Sequence, residues 1–238
     1  MVNRQNNLLN TINKQKSKGE NITLDINVEW QSYQKTVLNW LLDDNIDSVC
    51  WVASRQVGKS FLARTLALKV IEKRDTKVML IYPSEKQAKY FMQEMLSMLG
   101  KQGDSIVVAK TKSQGNLQLT FKNGSIIYFR TDAPESLLGV TLDFVIFDEI
   151  GNIDPEAIAL LLPTLDMRGG KILYCGTPKG HNHFFNIYLE HASEDTPNMR
   201  AIETRWNEFQ HPIPELDRKR TSSILKKRGT ASMSIPKW

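Results

Sequence analysis

The chain has 238 residues, 41% apolar and 24% charged, with a formal net charge of +5 and only two cysteines. That composition belongs to a globular domain with a real core, and it excludes a disulfide scaffold and a zinc site built from cysteines alone. No stretch is uncharged and apolar for long enough to span a bilayer, and the polar, basic Met1–Glu20 is no secretory signal.

Residues 1–28 lack a strong apolar pattern and are expected to form an N-terminal arm. From Trp30, apolar residues recur at helical spacing through Tyr33, Val37, Leu38, Leu41 and Leu42, and Asp43-Asp44 closes that helix. Ser48–Ala53 is short and apolar, a buried strand. A loop over 54–59 leads into a helix carrying Phe61, Leu62, Leu66, Leu68, Val70 and Ile71. Lys77–Tyr82 is a second buried strand, stopped by Pro83. Ser84, with Gln87 three residues on, marks the start of a helix that runs to about Leu99 and ends at Gly100.

Residues 105–130 are expected to be β structure, with Asn123-Gly124 as a hairpin turn between Leu117–Phe121 and Ile126–Phe129. Asp143–Phe147 is another buried strand. A helix near 155–162, a strand over 171–175, a helix over 181–192 and a strand over 200–206 follow. Strands alternating with helices predict an α/β fold with a mainly parallel sheet covered on both faces. The segment 208–238, with Arg218-Lys219-Arg220 and Lys226-Lys227-Arg228, reads as a basic linker or tail. Cys50 and Cys175 sit in apolar runs and are expected as buried free thiols.

Two motifs carry chemistry. Ser54-Arg55-Gln56-Val57-Gly58-Lys59-Ser60 stands between a strand and a helix, as a phosphate-binding loop requires. Gly58 supplies backbone freedom, Lys59 a cation for the β and γ phosphates, and Ser60 a hydroxyl for Mg²⁺. The leading glycine common in such loops is Ala53 here. Phe144–Glu149 is an apolar strand ending in two acids. Asp148 at its end is placed to hold Mg²⁺, and Glu149 to reach the water that attacks the γ-phosphate. Gly176-Thr177-Pro178 closes the 171–175 strand and can sense the γ-phosphate from there. Gln34, beside Tyr33, has an amide that suits an adenine edge. The string His181-Asn182-His183 lies at a helix start and lacks the context of a nuclease motif.

Together these residues resemble the ATPase domain of phage terminase large subunits, the DNA-packaging motors of tailed phages. Tyr33-Gln34 is similar to that family's adenine motif, 54–60 to its deviant Walker A loop, Gly139 and 143–149 to its Walker B region, and 176–178 to its coupling motif. Thr204-Arg205-Trp206 is similar to the close of that domain. The resemblance covers about residues 29–207 and implies a P-loop NTPase fold of the ASCE type. It implies ATP and Mg²⁺ as ligands, with Gln34 and residues 54–60 binding nucleotide and Ser60 and Asp148 holding metal. Glu149 becomes the catalytic carboxylate, Lys59 and Arg55 catalytic cations, and Gly176, Thr177 and Pro178 the coupling turn.

By the same resemblance the partners are double-stranded DNA, a portal protein and a small terminase subunit. A homo-oligomeric ring on the prohead, in the host cytoplasm and away from membranes, is the expected assembly. Many relatives carry an arginine, acting on a neighbouring subunit, where this chain has Leu138; Arg55 and Arg130 are the candidate substitutes. Lys110, Lys112, Lys122 and Arg130 are candidate DNA contacts. Too little chain follows residue 207 for the family's nuclease domain, so no nuclease activity is expected. A helicase-like or other DNA-remodelling ATPase, or a nucleotide-binding paralogue without turnover, is the alternative. The first needs further helicase motifs, and the intact Lys59, Asp148 and Glu149 argue against the second.

Overall fold

The structure is a computed structural model, and it describes residues 20–113 and 115–205. The basic tail, most of the N-terminal arm and Trp206 lie outside the described residues. Eight strands form one sheet in the order β3-β4-β5-β2-β6-β7-β1-β8. They are β1 (Ser48–Ala53), β2 (Lys77–Ile81), β3 (Val107–Ser113), β4 (Asn116–Phe121), β5 (Ile126–Arg130), β6 (Phe144–Asp148), β7 (Lys171–Gly176) and β8 (Met199–Thr204). From β5 to β8 every neighbouring pair is parallel, and only the β3-β4-β5 edge is antiparallel.

The helices are α1 (Ser32–Leu42), α2 (Lys59–Val70), α3 (Glu85–Ile106), the short α4 (Pro134–Leu137), α5 (Pro155–Asp166) and α6 (His183–His191). Successive side chains of a strand point to opposite faces, and the two apolar cores follow that alternation. Val49, Trp51 and Ala53 of β1 join a core with Val37 of α1, Leu62 of α2 and Met92 of α3. Cys50 and Val52 join the other, with Leu161 of α5 and Phe184 of α6. All six residues of β1 are buried. A strand covered on both faces reads as a continuous apolar run, so the short buried strands were legible.

Two expectations are corrected, while the helix begun at Ser84 ends at Gly100 as expected. That glycine breaks it (φ 52°, ψ −140°), and a further turn runs to Ile106, whose side chain is buried. The α5 helix passes through Pro163 to Asp166, with Leu165 buried beyond the proline. Here tertiary packing outweighs the hydrogen bond that proline forfeits. The packed body also begins ahead of residue 29. Ile22 and Leu24 are buried, Ile22 N donates to Glu72 O at 2.9 Å, and Leu24 N donates to Glu72 Oε1 at 2.9 Å. The Asn123-Gly124 turn stands as expected. Phe121 N donates to Ser125 O, and the buried Asn123 amide donates to Ile71 O at 2.7 Å, tying the hairpin to the end of α2.

Candidate active site

β7 lies between β1 and β6, so the loop after β1, the acids ending β6 and the turn after β7 share the carboxyl edge of the sheet. Loops leaving the carboxyl ends of parallel strands are where such sheets bind ligands. The backbone of the 54–59 loop is bent as a phosphate cradle needs, with positive φ at Gln56 (65°) and Gly58 (86°). The positive φ favours glycine at position 58, and a Cβ there would lie 2.7 Å from Gln34 Nε2, so that amide would have to shift.

Lys59 begins α2 and is buried. Its Nζ donates to Ala53 O (3.2 Å), Ser54 O (3.0 Å) and Thr177 Oγ1 (3.1 Å), and lies 3.7 Å from Glu149 Oε1. Thr177 in turn donates to Glu149 from both its backbone N and its Oγ1, each at 3.4 Å. Three segments distant in sequence thus meet around one ammonium group.

Asp148 ends β6 with 2% of its surface exposed. Burial raises its carboxyl pKa above the usual range, and a hydrogen bond from the Ser60 hydroxyl opposes that rise. Cys175 Sγ lies 3.6 Å from Asp148 Oδ1 and 3.3 Å from Phe147 O. Both cysteines are free and buried, as expected. Ser60 and Asp148 form a hard oxygen pair that fits Mg²⁺, an ion that takes one or two protein oxygens and completes its shell with water and phosphate. Among the described residues no group of three or more His, Cys, Asp or Glu is clustered to hold a metal without such help.

Tyr33 and Gln34 have a use that no local pattern announced. Tyr33 hydroxyl donates to Val57 O at 3.1 Å, and Gln34 is buried against Gly58 with its Oε1 accepting from Gln31 N at 3.0 Å. Both brace the loop from behind. Arg55 is exposed on the loop, and Pro178 follows Thr177 in the turn.

Arg130 is corrected: it is neither a surface DNA contact nor free to reach a neighbouring subunit. It is buried, and its guanidinium donates to Leu117 O (2.6 Å), Phe129 O (3.1 Å) and Ser136 O (3.1 Å). Lys110, Lys112 and Lys122 are exposed on the β3-β4 edge, and Leu138 is also exposed. Arg64, one helical turn beyond Ser60, belongs to none of the motifs. It is 7% exposed, its guanidinium lies 4.6 Å from the Phe91 ring centroid, and among the described residues its Nε and Nη1 have no hydrogen-bond partner. A cation inside an otherwise apolar helix face was the available signal.

Residues 50–232 match the family described as terminase large subunit, T4likevirus-type, N-terminal. The chain is 30% identical over 173 residues to the terminase large subunit of Escherichia phage T5, covering 71% of this chain and 39% of that protein. It therefore spans well under half the length of that relative. The fold is similar to the large terminase ATPase domain of Thermus phage P74-26 (TM-score 0.64, 19% identity, 87% of this chain and 91% of that one). It is also similar to the large terminase of a thermophilic bacteriophage solved in complex with ATP-γ-S (TM-score 0.63, 18% identity, 81% of this chain and 49% of that one).

Proposed function

The chain belongs to the T4-like terminase large subunit family, matching its N-terminal region, and from that premise we propose that it is an ATP-hydrolysing motor domain driving double-stranded DNA into a prohead. The observation that carries the reading is the meeting of Lys59, Thr177 and Glu149, with Ser60 and Asp148 beside them, at one edge of the sheet.

In this reading residues 54–60 cradle the phosphates of ATP, and the N-terminus of α2 faces the same charge. Gln34 and Tyr33 serve nucleotide binding by holding the loop in its bent form. Lys59 exchanges its carbonyl partners for phosphate oxygens and stays beside the γ-phosphoryl as charge develops there. Glu149 orients the attacking water and takes its proton, a role worth about 10²–10⁴-fold in rate. Ser60 and Asp148 would hold Mg²⁺, which neutralises charge on the β and γ oxygens when bound. Arg55, exposed on the loop, supplies a further cation to the γ-phosphoryl of its own site or a neighbour's. Thr177 touches both Lys59 and Glu149, so the 176–178 turn reports on the phosphate.

DNA is held through its phosphates, since packaging accepts any sequence. A portal protein, a small subunit, a ring of copies on the prohead and a place in the host cytoplasm belong to the same proposal. Among the described residues no helix is long and apolar enough to cross a membrane.

ATP turnover of Lys59→Ala and Glu149→Gln tests the site. Both are expected to lose activity, and wild-type turnover in both would remove the assignment. Turnover that rises with protein concentration is the expected mark of a motor that assembles.

A further inference from the structure

The segment after the 176–178 turn is fastened to the turn that follows the acidic pair. His183 donates from Nε2 to Ile150 O at 2.9 Å, and Lys179 Nζ donates to Asn152 Oδ1. Asn182 caps α6 by accepting from Phe184 N at 3.1 Å, and its Nδ2 would lie 3.4 Å from a Cβ built on Gly151. Beneath them Phe184 is fully buried. A Cβ added to Gly176 would meet Phe184 Cε1 at 3.1 Å, Ile150 Cγ2 at 3.2 Å and Ile150 N at 3.3 Å, so the two turns touch through backbone.

Glu149 stands immediately before this joint. Its backbone is left-handed (φ 57°, ψ 48°), a conformation that a residue other than glycine keeps only where its surroundings enforce it. Thr177 holds its carboxylate from one side, and Ile150, the next residue, is held from the other. Capping α6 needs only Asn182. The bonds of His183 and Lys179 reach across 33 and 27 residues to the other turn, which capping does not require.

We propose that Lys179, His183 and Asn152 form a latch that positions the Glu149 carboxylate, so that this carboxylate and the N-terminus of α6 shift together when nucleotide binds or is cleaved. The three act through Glu149 and are positioning residues. The inference rests on the ATPase reading of Glu149 and adds to it a mechanical path from the reacting phosphate to a helix.

The test uses the full chain, with wild type and Glu149→Gln in parallel. His183→Ala is expected to lower kcat by about tenfold to a hundredfold, the scale set by small misplacements of a catalytic group. Its KM for ATP is expected to stay within about twofold, since substrate binding is untouched. His183→Gln places an amide donor near the lost Nε2 and is expected to restore most of kcat. Wild-type kcat in His183→Ala, or a loss that His183→Gln leaves uncorrected, overturns the latch. Should His183→Ala not fold, the exposed pair Lys179→Met and Asn152→Ala decides: lowered kcat supports the latch and wild-type kcat overturns it. Full turnover by Glu149→Gln instead sinks the ATPase reading. Hydrogen exchange then tests the latch directly. ATP-γ-S is expected to slow exchange at Phe184 and Phe185 in wild type and His183→Gln but not in His183→Ala, and equal slowing in all three overturns it.

Discussion

Two parts of one sheet behave differently. In the parallel part, β1 is buried at all six positions and β6 at all five. In the antiparallel rim, β3 exposes five of its seven residues, Lys110 and Lys112 among them. A parallel strand must cross from one edge of the sheet to the other before it can pair again, so helices cover both faces and only strand ends reach solvent. That geometry collects Lys59, Asp148, Glu149 and Thr177 at one edge although they span well over a hundred residues of chain. The rim is closed by a short turn and contributes none of these four residues. It extends the core through Phe121 and Phe129 and ends the sheet in a charged strand, which discourages pairing with another chain. The candidate catalytic side chains are concentrated where the topology forces distant segments together, and core packing and surface charge dominate where it does not.

That contrast can be broken by mutation. The largest effect is expected at the edge of the parallel part. Glu149→Gln should cut kcat by about 10²–10⁴-fold while nucleotide binding persists, read by steady-state turnover beside fluorescent-nucleotide titration. Phe121→Ala in the rim should do the reverse. It is expected to cost about 3–5 kcal/mol in urea unfolding and leave turnover per folded molecule near wild type. A matching collapse of turnover in the folded fraction would show that rim and site are coupled.

Arg130→Ala lies between these two. It removes a buried guanidinium whose donors reach Leu117 O, Phe129 O and Ser136 O, and should cost about 1.5–3 kcal/mol through the charged hydrogen bonds it removes. An Arg130→Ala protein as stable as wild type but unable to respond to protein concentration would restore the inter-subunit role that its burial argues against. The smallest effect is expected from Lys110→Glu with Lys112→Glu. Stability should change within about 0.5 kcal/mol, as for most exposed sites. If the rim binds DNA, the slope of log affinity against log salt should fall by about 0.9 for each phosphate that the lysines no longer neutralise. An unchanged slope removes the rim from the DNA path.

Much of the fold was legible because its signals are local. The apolar runs at 48–53 and 144–148 read as buried strands, and Asn123-Gly124 as a hairpin turn. Gly58-Lys59-Ser60 between a strand and a helix marked a candidate phosphate site, and Phe147-Asp148-Glu149 its candidate acidic partner. The helix continuing through Pro163 was hidden because local propensity there is overruled by the burial of Leu165. Arg130 was misread for the same kind of reason. An arginine at a strand end looks solvated until three carbonyls are found around it.

The residues of one strand, helix or loop carry their own instructions, since periodicity, turn chemistry and motif spacing act over a few positions. By itself, therefore, the chain determined the α/β class, the order of its main elements, and which lysine, serine and acids are candidates for the site. Only the tertiary structure decided what these groups touch. That β7 is inserted between β1 and β6, that Thr177 bridges Lys59 to Glu149, that Tyr33 and Gln34 brace the loop, and that His183 grips Ile150 all depend on strand order and on packing between segments far apart in sequence. Such meetings are set by how the buried faces pack, and no window of sequence contains both partners.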